Sequence, residues 1–203
     1  MKNYEYTDEE TLSYYVDEAP VYAASGKGGV NRFLHAFIEH LSKGARILDL
    51  GCGGGRDSKE MLRLGFDVVS WDASPEIALQ AERYISRRVF VKRFEELNVE
   101  AEFDAIWASA SLLHVPVKSL PEILSRVHTA LKPNGMHFAN YKSGGVEGRD
   151  NVGRYFNFLS KEQMLRAYAL SGRWKVHMVQ EYEGGGFDHG KQGPWIAQIA
   201  SKQ

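Results

Sequence analysis

The amino-acid sequence predicts an α/β protein organised around a mainly parallel sheet, and three observations carry that prediction. Between Arg46 and Tyr141, short apolar runs alternate with amphipathic segments, which is the pattern of repeated strand, helix, strand units. Several of these runs are apolar without interruption, as strands covered on both faces should be. The 203 residues, 43% of them hydrophobic and 25% charged, suffice for one sizeable core with a small appended cap rather than two full domains.

Residues 1–44 read as a helical cap. Thr7 and Glu10 form a capping box ahead of Leu12, Tyr15 and Val16, and Pro20 ends that run. After the loosening glycines Gly26, Gly28 and Gly29, the positions Val30, Phe33, Leu34, Phe37, Ile38 and Leu41 recur at helical spacing, so a second helix is expected to close near Gly44. Residues 45–141 supply five strands, at 46–50, 67–71, 89–92, 103–108 and 136–141, with helices in the gaps. Ser74-Pro75-Glu76 provides a cap, a proline at the first helical position and an early acid. Lys132-Pro133-Asn134-Gly135 is a turn that stops the helix before the fifth strand. Residues 142–203 form a substrate-side loop, a helix capped by Ser160, and two β-rich runs at 174–182 and 195–200 whose glycine-rich connection favours an antiparallel hairpin.

Charge and composition narrow the function classes. Lys plus Arg (25) nearly balance Asp plus Glu (26), and a formal charge of −1 offers no net field for polyanions, so nucleic acid is not favoured as a partner. The start, Met1-Lys2-Asn3-Tyr4-Glu5-Tyr6, lacks the apolar core of a signal peptide, and no stretch approaches the roughly 18 apolar residues that span a bilayer. A cytoplasmic location without membrane attachment is expected. The single cysteine, Cys52, allows neither an internal disulfide nor a cysteine-rich metal site, and no metal is expected.

The chemistry centres on Ile47-Leu48-Asp49-Leu50-Gly51-Cys52-Gly53-Gly54-Gly55-Arg56-Asp57, a buried-strand run followed at once by a glycine loop and a helix. Gly51 and Gly53 let the backbone turn sharply and approach a ligand, and the helix start presents unpaired N–H groups. A dinucleotide loop would read G-x-G-x-x-G, and Arg56 stands where its third glycine belongs, which weakens an NAD reading. Asp49 adds an acid beside the ligand, better suited to an ammonium or sulfonium than to a pyrophosphate. The second strand ends in Asp72, about twenty residues past the loop, where its carboxylate can accept hydrogen bonds from ribose hydroxyls.

With these motifs the chain resembles the class I S-adenosylmethionine-dependent methyltransferases over about residues 30–200. Within them, Leu-Asp-Leu-Gly-Cys-Gly, Gly-Arg-Asp-Ser and Ser70-Trp71-Asp72 are similar to the small tellurite-resistance type. The resemblance implies a Rossmann-like seven-stranded, mostly parallel sheet with a final antiparallel strand, helices on both faces and an N-terminal helical cap. It implies S-adenosylmethionine as cofactor, with Asp49, Gly51, Cys52 and Gly53 on its methionine part, Asp72 on the ribose and Ala73 beside the adenine. It also places the small residues that end the fourth strand, among them Ala108 and Ser109, against the sulfonium and methyl group.

One departure is Arg93, which occupies the position where the family often carries an acid for the adenine amino group. Phe94 can still offer its backbone amide to the adenine ring, with Glu95 or Glu96 as replacement acceptors. His114, after Leu112-Leu113, is the candidate base for an acceptor, against the ordinary alternative of a hydrogen-bonded structural histidine. Tyr22 is the cap residue expected to close over the cofactor, although aromatic residues of such helices usually join the core. Arg154 and Tyr155, at the edge where open α/β sheets bind ligands, are candidates for holding the acceptor, against a solvated loop. The expected activity is methyl transfer to a small-molecule acceptor by direct in-line displacement. The alternatives are a cofactor-binding protein without catalysis and a methyltransferase acting on a tRNA base. Neither the acceptor nor the oligomeric state is written in the sequence.

Overall fold

The computed structural model describes residues 6–18, 29–186 and 192–203. Seven strands form one sheet: β1 (Arg46–Leu50), β2 (Asp67–Asp72), β3 (Val89–Val91), β4 (Phe103–Ala108), β5 (Leu131–Lys142), β8 (Trp174–Gly185) and β9 (Gln192–Lys202). Their spatial order is β3-β2-β1-β4-β5-β9-β8. β9 runs against both its neighbours while the others run parallel to one another, so the expected mostly parallel seven-stranded sheet with an antiparallel final strand is present. The short β6 (Gly148–Arg149) and β7 (Tyr155–Phe156) pair separately as a small ribbon.

Alternation along the central strands builds the two halves of the core. Ile47, Ala105, Trp107, Met136 and Phe138 face one side, where they meet Phe33, Leu34 and Phe37, the last two from α2 (Leu34–Ile38). Leu48, Leu50, Ile106, Ala108, Ala139 and Tyr141 face the other side, under α5 (Leu120–Ala130) and α6 (Lys161–Ser171). Trp107 stacks on Phe138 with ring centres 3.9 Å apart. Each large apolar side chain so buried contributes about 1.5–3 kcal/mol over leaving it in water.

Caps set the helix starts. Ser74 precedes α4 (Pro75–Ile85) and accepts from the Ile77 N–H, and Ser160 forms a reciprocal box with Gln163 ahead of α6. At α1 (Glu9–Asp17) the cap is Asp8, which accepts from Thr11, instead of Thr7, whose hydroxyl donates to Glu95 at 2.9 Å. The second cap helix is shorter than its apolar spacing suggests: regular helix covers only Leu34–Ile38, and turns carry the chain on to β1. The turn at Lys132-Pro133-Asn134-Gly135 lies inside the irregular start of β5, with Asn134 at φ +63°. No described helix is long and apolar enough to cross a membrane.

Candidate active site

The strand order reverses between β1 and β4, and at such a switch point the two strand-end loops diverge and leave a crevice. β1 turns there at Gly51 (φ +79°), Gly53 (φ +52°) and Gly55 (φ +78°) into α3 (Arg56–Arg63). A Cβ at Gly51 would lie 2.5 Å from Ser111 Cβ, so glycine is required by both the turn and the close approach of the facing loop. The register Leu50↔Trp71 brings the corner beside the end of β2. There Gly53 N–H donates to Asp72 Oδ2 at 2.9 Å and Ser74 N–H to Oδ1 at 3.0 Å. Burial nevertheless raises the Asp72 carboxyl to about 6, against the lowering effect of those backbone donors.

A cleft opens over this corner, walled by the ends of β1, β2 and β4 and by α1. Gly51, Gly53, Asp72, Ala73, Phe94 and His114, all anticipated from the sequence, line it together with Ser74, Ile77, Ala110 and Ser111. Tyr6, Thr7, Asp8, Thr11, Leu12 and Tyr15 line it from the side of α1. Tyr22 lies outside the described residues. Arg93 is turned away to Glu9 of α1, to which both terminal guanidinium nitrogens donate. Glu95 receives the Thr7 hydroxyl and Glu96 the Arg93 N–H, so both acids proposed as adenine acceptors already hold local partners.

Asp49, Cys52, Ala108 and Ser109 sit at or behind the corner and do not line the cleft. Asp49 is 1% exposed and accepts from Ser58 at 2.6 Å; burial, with the nearby charge of Asp57, pushes it up to about 8. Burial also lifts the Cys52 thiol well above its ordinary range, with Asp49 and Asp72 acting in the same direction, so the thiol is held in its unreactive form. Ala108 is fully buried at the end of β4, and Ser109 accepts from the Asn31 side-chain amide at 2.9 Å. Asp57 was not anticipated as a site residue. It accepts from Asn31 N–H and from Trp107 Nε1, both at 2.8 Å, and burial raises its carboxyl. Its only sequence signal is its place in the Gly-Arg-Asp-Ser run, since the tryptophan that fixes it is fifty positions away.

His114 stands at the cleft wall with both ring nitrogens engaged. Nδ1 lies 2.6 Å from the Tyr155 carbonyl oxygen, which can only accept, so Nδ1 carries the proton and Nε2 accepts from the Tyr15 hydroxyl at 3.1 Å. Burial lowers the ring to about 4, with the charges of Arg154 and Lys142 adding to the effect, and the imidazole is neutral at pH 7. Tyr155 therefore meets the site through its carbonyl, and its hydroxyl donates to Glu147. Arg154 is 3% exposed, donates to Asp150 through Nε and Nη2, and lies over the rings of Tyr14 and Phe156.

The corner fits S-adenosylmethionine on its own features. Gly51 lacks the Cβ that would obstruct it, Asp72 keeps lone pairs for two ribose hydroxyls, and Asp49 and Asp57 are buried carboxyls whose ionised forms would complement a cationic methionine end. Among the described residues no group of His, Cys, Asp and Glu could hold a metal ion.

Residues 47–135 match the profile of a family described as a methyltransferase domain. The chain is 36% identical over 113 residues to an uncharacterised methyltransferase of Synechocystis sp., covering 54% of this chain and 53% of that protein. It spans about half the length of the curated relatives it matches. Among solved structures, the 1,6-didemethyltoxoflavin-N1-methyltransferase of Burkholderia thailandensis superposes with a TM-score of 0.77 at 21% identity, over 96% of this chain and 88% of that one. TehB of Haemophilus influenzae superposes with a TM-score of 0.70 at 18% identity, over 95% of this chain and 67% of that one. At these identities the two structures share the fold. Residues 47–135 of this chain thus match a methyltransferase domain, set in the fold of the S-adenosylmethionine-dependent methyltransferases that it resembles.

Proposed function

We propose that this protein transfers the methyl group of S-adenosylmethionine to a small-molecule acceptor. The observation that carries the proposal is the registration of the Gly51–Gly53 corner to Asp72 inside a cleft that also contains an acceptor-side histidine. When bound, S-adenosylmethionine supplies a methyl group already activated by its sulfonium, open to direct in-line displacement by an acceptor lone pair. Asp72 holds the ribose, Ala73 and Phe94 with Ile77 bound the adenine, and Asp49, Cys52, Ala108 and Ser109 shape the corner from behind. α1 covers one side of the cleft, and alignment of reactants in a well-oriented site can contribute about 7–11 kcal/mol of barrier reduction.

His114 is proposed to meet the acceptor, with Arg154 and Tyr155 acting behind it: Tyr155 fixes which nitrogen bears the proton, and Arg154 adds to the burial that keeps the ring neutral. Where an acceptor O–H or N–H displaces the Tyr15 hydroxyl from Nε2, the His114 lone pair can orient it and accept its proton as the bond forms. A small acceptor is supported by the 1,6-didemethyltoxoflavin-N1-methyltransferase among the structural neighbours.

Calorimetry with S-adenosylhomocysteine followed by a homocysteine-release assay over oxygen, nitrogen, sulfur and metalloid acceptors tests the reading. Saturable binding, weakened at least about tenfold by Asp72→Ala, is expected. Binding by the intact protein with no product from any acceptor would reduce the chain to a cofactor-binding protein, and no binding at all would end the proposal. Turnover in His114→Gln should fall by about 10²–10⁴ for oxygen and nitrogen acids and change little for thiolates.

A further inference from the structure

Opposite the glycine corner, the cleft is walled by the turn that follows β4, and this turn is under backbone strain. Ala110 adopts φ +50°, a region where a side chain is disfavoured, yet Ala110 and Ser111 both line the cleft. The turn is tied at every residue. Ser109 Oγ accepts from the Asn31 amide at 2.9 Å, and Ser111 Oγ donates to the Leu50 carbonyl at 2.7 Å. Between them, Ala110 N–H donates to Asn140 Oδ1 at 2.7 Å.

Asn140 projects from β5, is 4% exposed, and spends its other amide atom as a donor to the Tyr182 hydroxyl at 2.9 Å. Tyr182 is in turn braced by the Arg32 guanidinium 4.8 Å above its ring and by the edge of Phe33 at 5.1 Å. A side chain that accepts on one side and donates on the other connects β8, through β5, to the one residue of the turn that is conformationally disfavoured.

We propose that Asn140 is a positioning residue for the reaction: it holds Ala110 in its left-handed form and thereby sets the gap between the 109–111 turn and Gly51. The inference rests on the cofactor reading, because that gap is where the methionine end of the cofactor belongs. Asn140 touches no reactant itself. It acts by keeping Ser111 against Gly51 and Ser109 against Asn31.

Two measurements on Asn140→Leu test this. Amide exchange at 109–111 should accelerate about tenfold while β1 and the body of β4 are unchanged. Calorimetry should show S-adenosylhomocysteine binding weakened about tenfold but 5′-methylthioadenosine, which lacks the amino-acid end, within about twofold of the parent protein. Adding Ala110→Gly, which removes the strain, should restore S-adenosylhomocysteine affinity. Equal weakening of both ligands, absence of rescue, or unchanged exchange at Ala110 would overturn the assignment. If the parent protein binds neither ligand, the cofactor reading fails and the exchange measurement still decides the role of Asn140. If Asn140→Leu does not fold, Tyr182→Phe is read on the same measurements, with a smaller shift in the same directions expected and no shift counting against the proposal.

Discussion

Gly51 turns at φ +79° with Ser111 Cβ 2.5 Å from the place its own Cβ would take, so Gly51→Ala meets both a disfavoured backbone and a clash that only movement of the 109–111 turn relieves. The expected outcome is a lower melting temperature together with at least about a tenfold loss of S-adenosylhomocysteine affinity, read by calorimetry on the folded variant. The buried acids lead to a pH prediction. Asp49, raised to about 8, keeps a proton in the folded chain that the unfolded chain, ionising near 3.8, has already released, so its contribution to stability declines as pH rises toward 8. Asp72, raised to about 6, acts in the same sense up to that pH. His114 and His137, both lowered to about 4 by burial, act oppositely: the unfolded chain takes up protons below about 6.5, and stability is lost as pH falls toward 4. These trends offset one another in the acid range, and above pH 6.5 that of Asp49 remains. Urea unfolding of the ligand-free protein should therefore show stability falling from pH 6.5 to 8, and Asp49→Asn should flatten that fall.

α1 buries little apolar surface and is held to the cleft by polar side chains. Asp8 caps it through Thr11 and receives both terminal nitrogens of Arg149, Glu9 receives Arg93, and the Thr11 hydroxyl accepts from Tyr155 N–H. Burial would raise the Asp8 carboxyl, but Arg149 and Thr11 outweigh it and hold the group below its usual range, so this tie is present above about pH 4 and is lost on acidification. Asp8→Ala removes the cap, worth about 1 kcal/mol, and the buried half of an ion pair. Limited proteolysis within residues 6–18 should speed up while unfolding of the sheet changes little. Capping at this scale was partly legible. Ser74 and Ser160 are read correctly because proline, glutamate or glutamine follow at the spacing a cap requires. At α1 two competent residues are adjacent, and only Glu95 and Arg149, far away in sequence, decide that Asp8 caps the helix and Thr7 does not.

For the molecule as a whole, the central strands and the cofactor corner were legible because their signals are local: continuous apolar runs, glycines at the bend, and an acid at the end of the next strand. What remained hidden is contact at long separation. The fixing of Asp57 by Trp107, the meeting of Arg154 with the Tyr14 ring, and the Asn140 link from Tyr182 to Ala110 follow from the tertiary arrangement, which no single window of sequence contains. A ligand that binds only the folded chain should stabilise it by about 2.7 kcal/mol at a hundredfold excess over its Kd, so S-adenosylhomocysteine should raise the melting temperature in a concentration-dependent way and S-adenosylmethionine likewise. The position of β9 has a consequence for how the molecule comes together. Although it follows β5 and β8 along the chain, it is inserted between them, and until it arrives β5 presents an unpaired backbone edge beside Phe138, Tyr141 and Asn140. Spatial order thus departs from chain order: the β5 edge is closed only by partners more than fifty positions apart, contacts of the kind that are slow to form because the intervening chain must first be brought back.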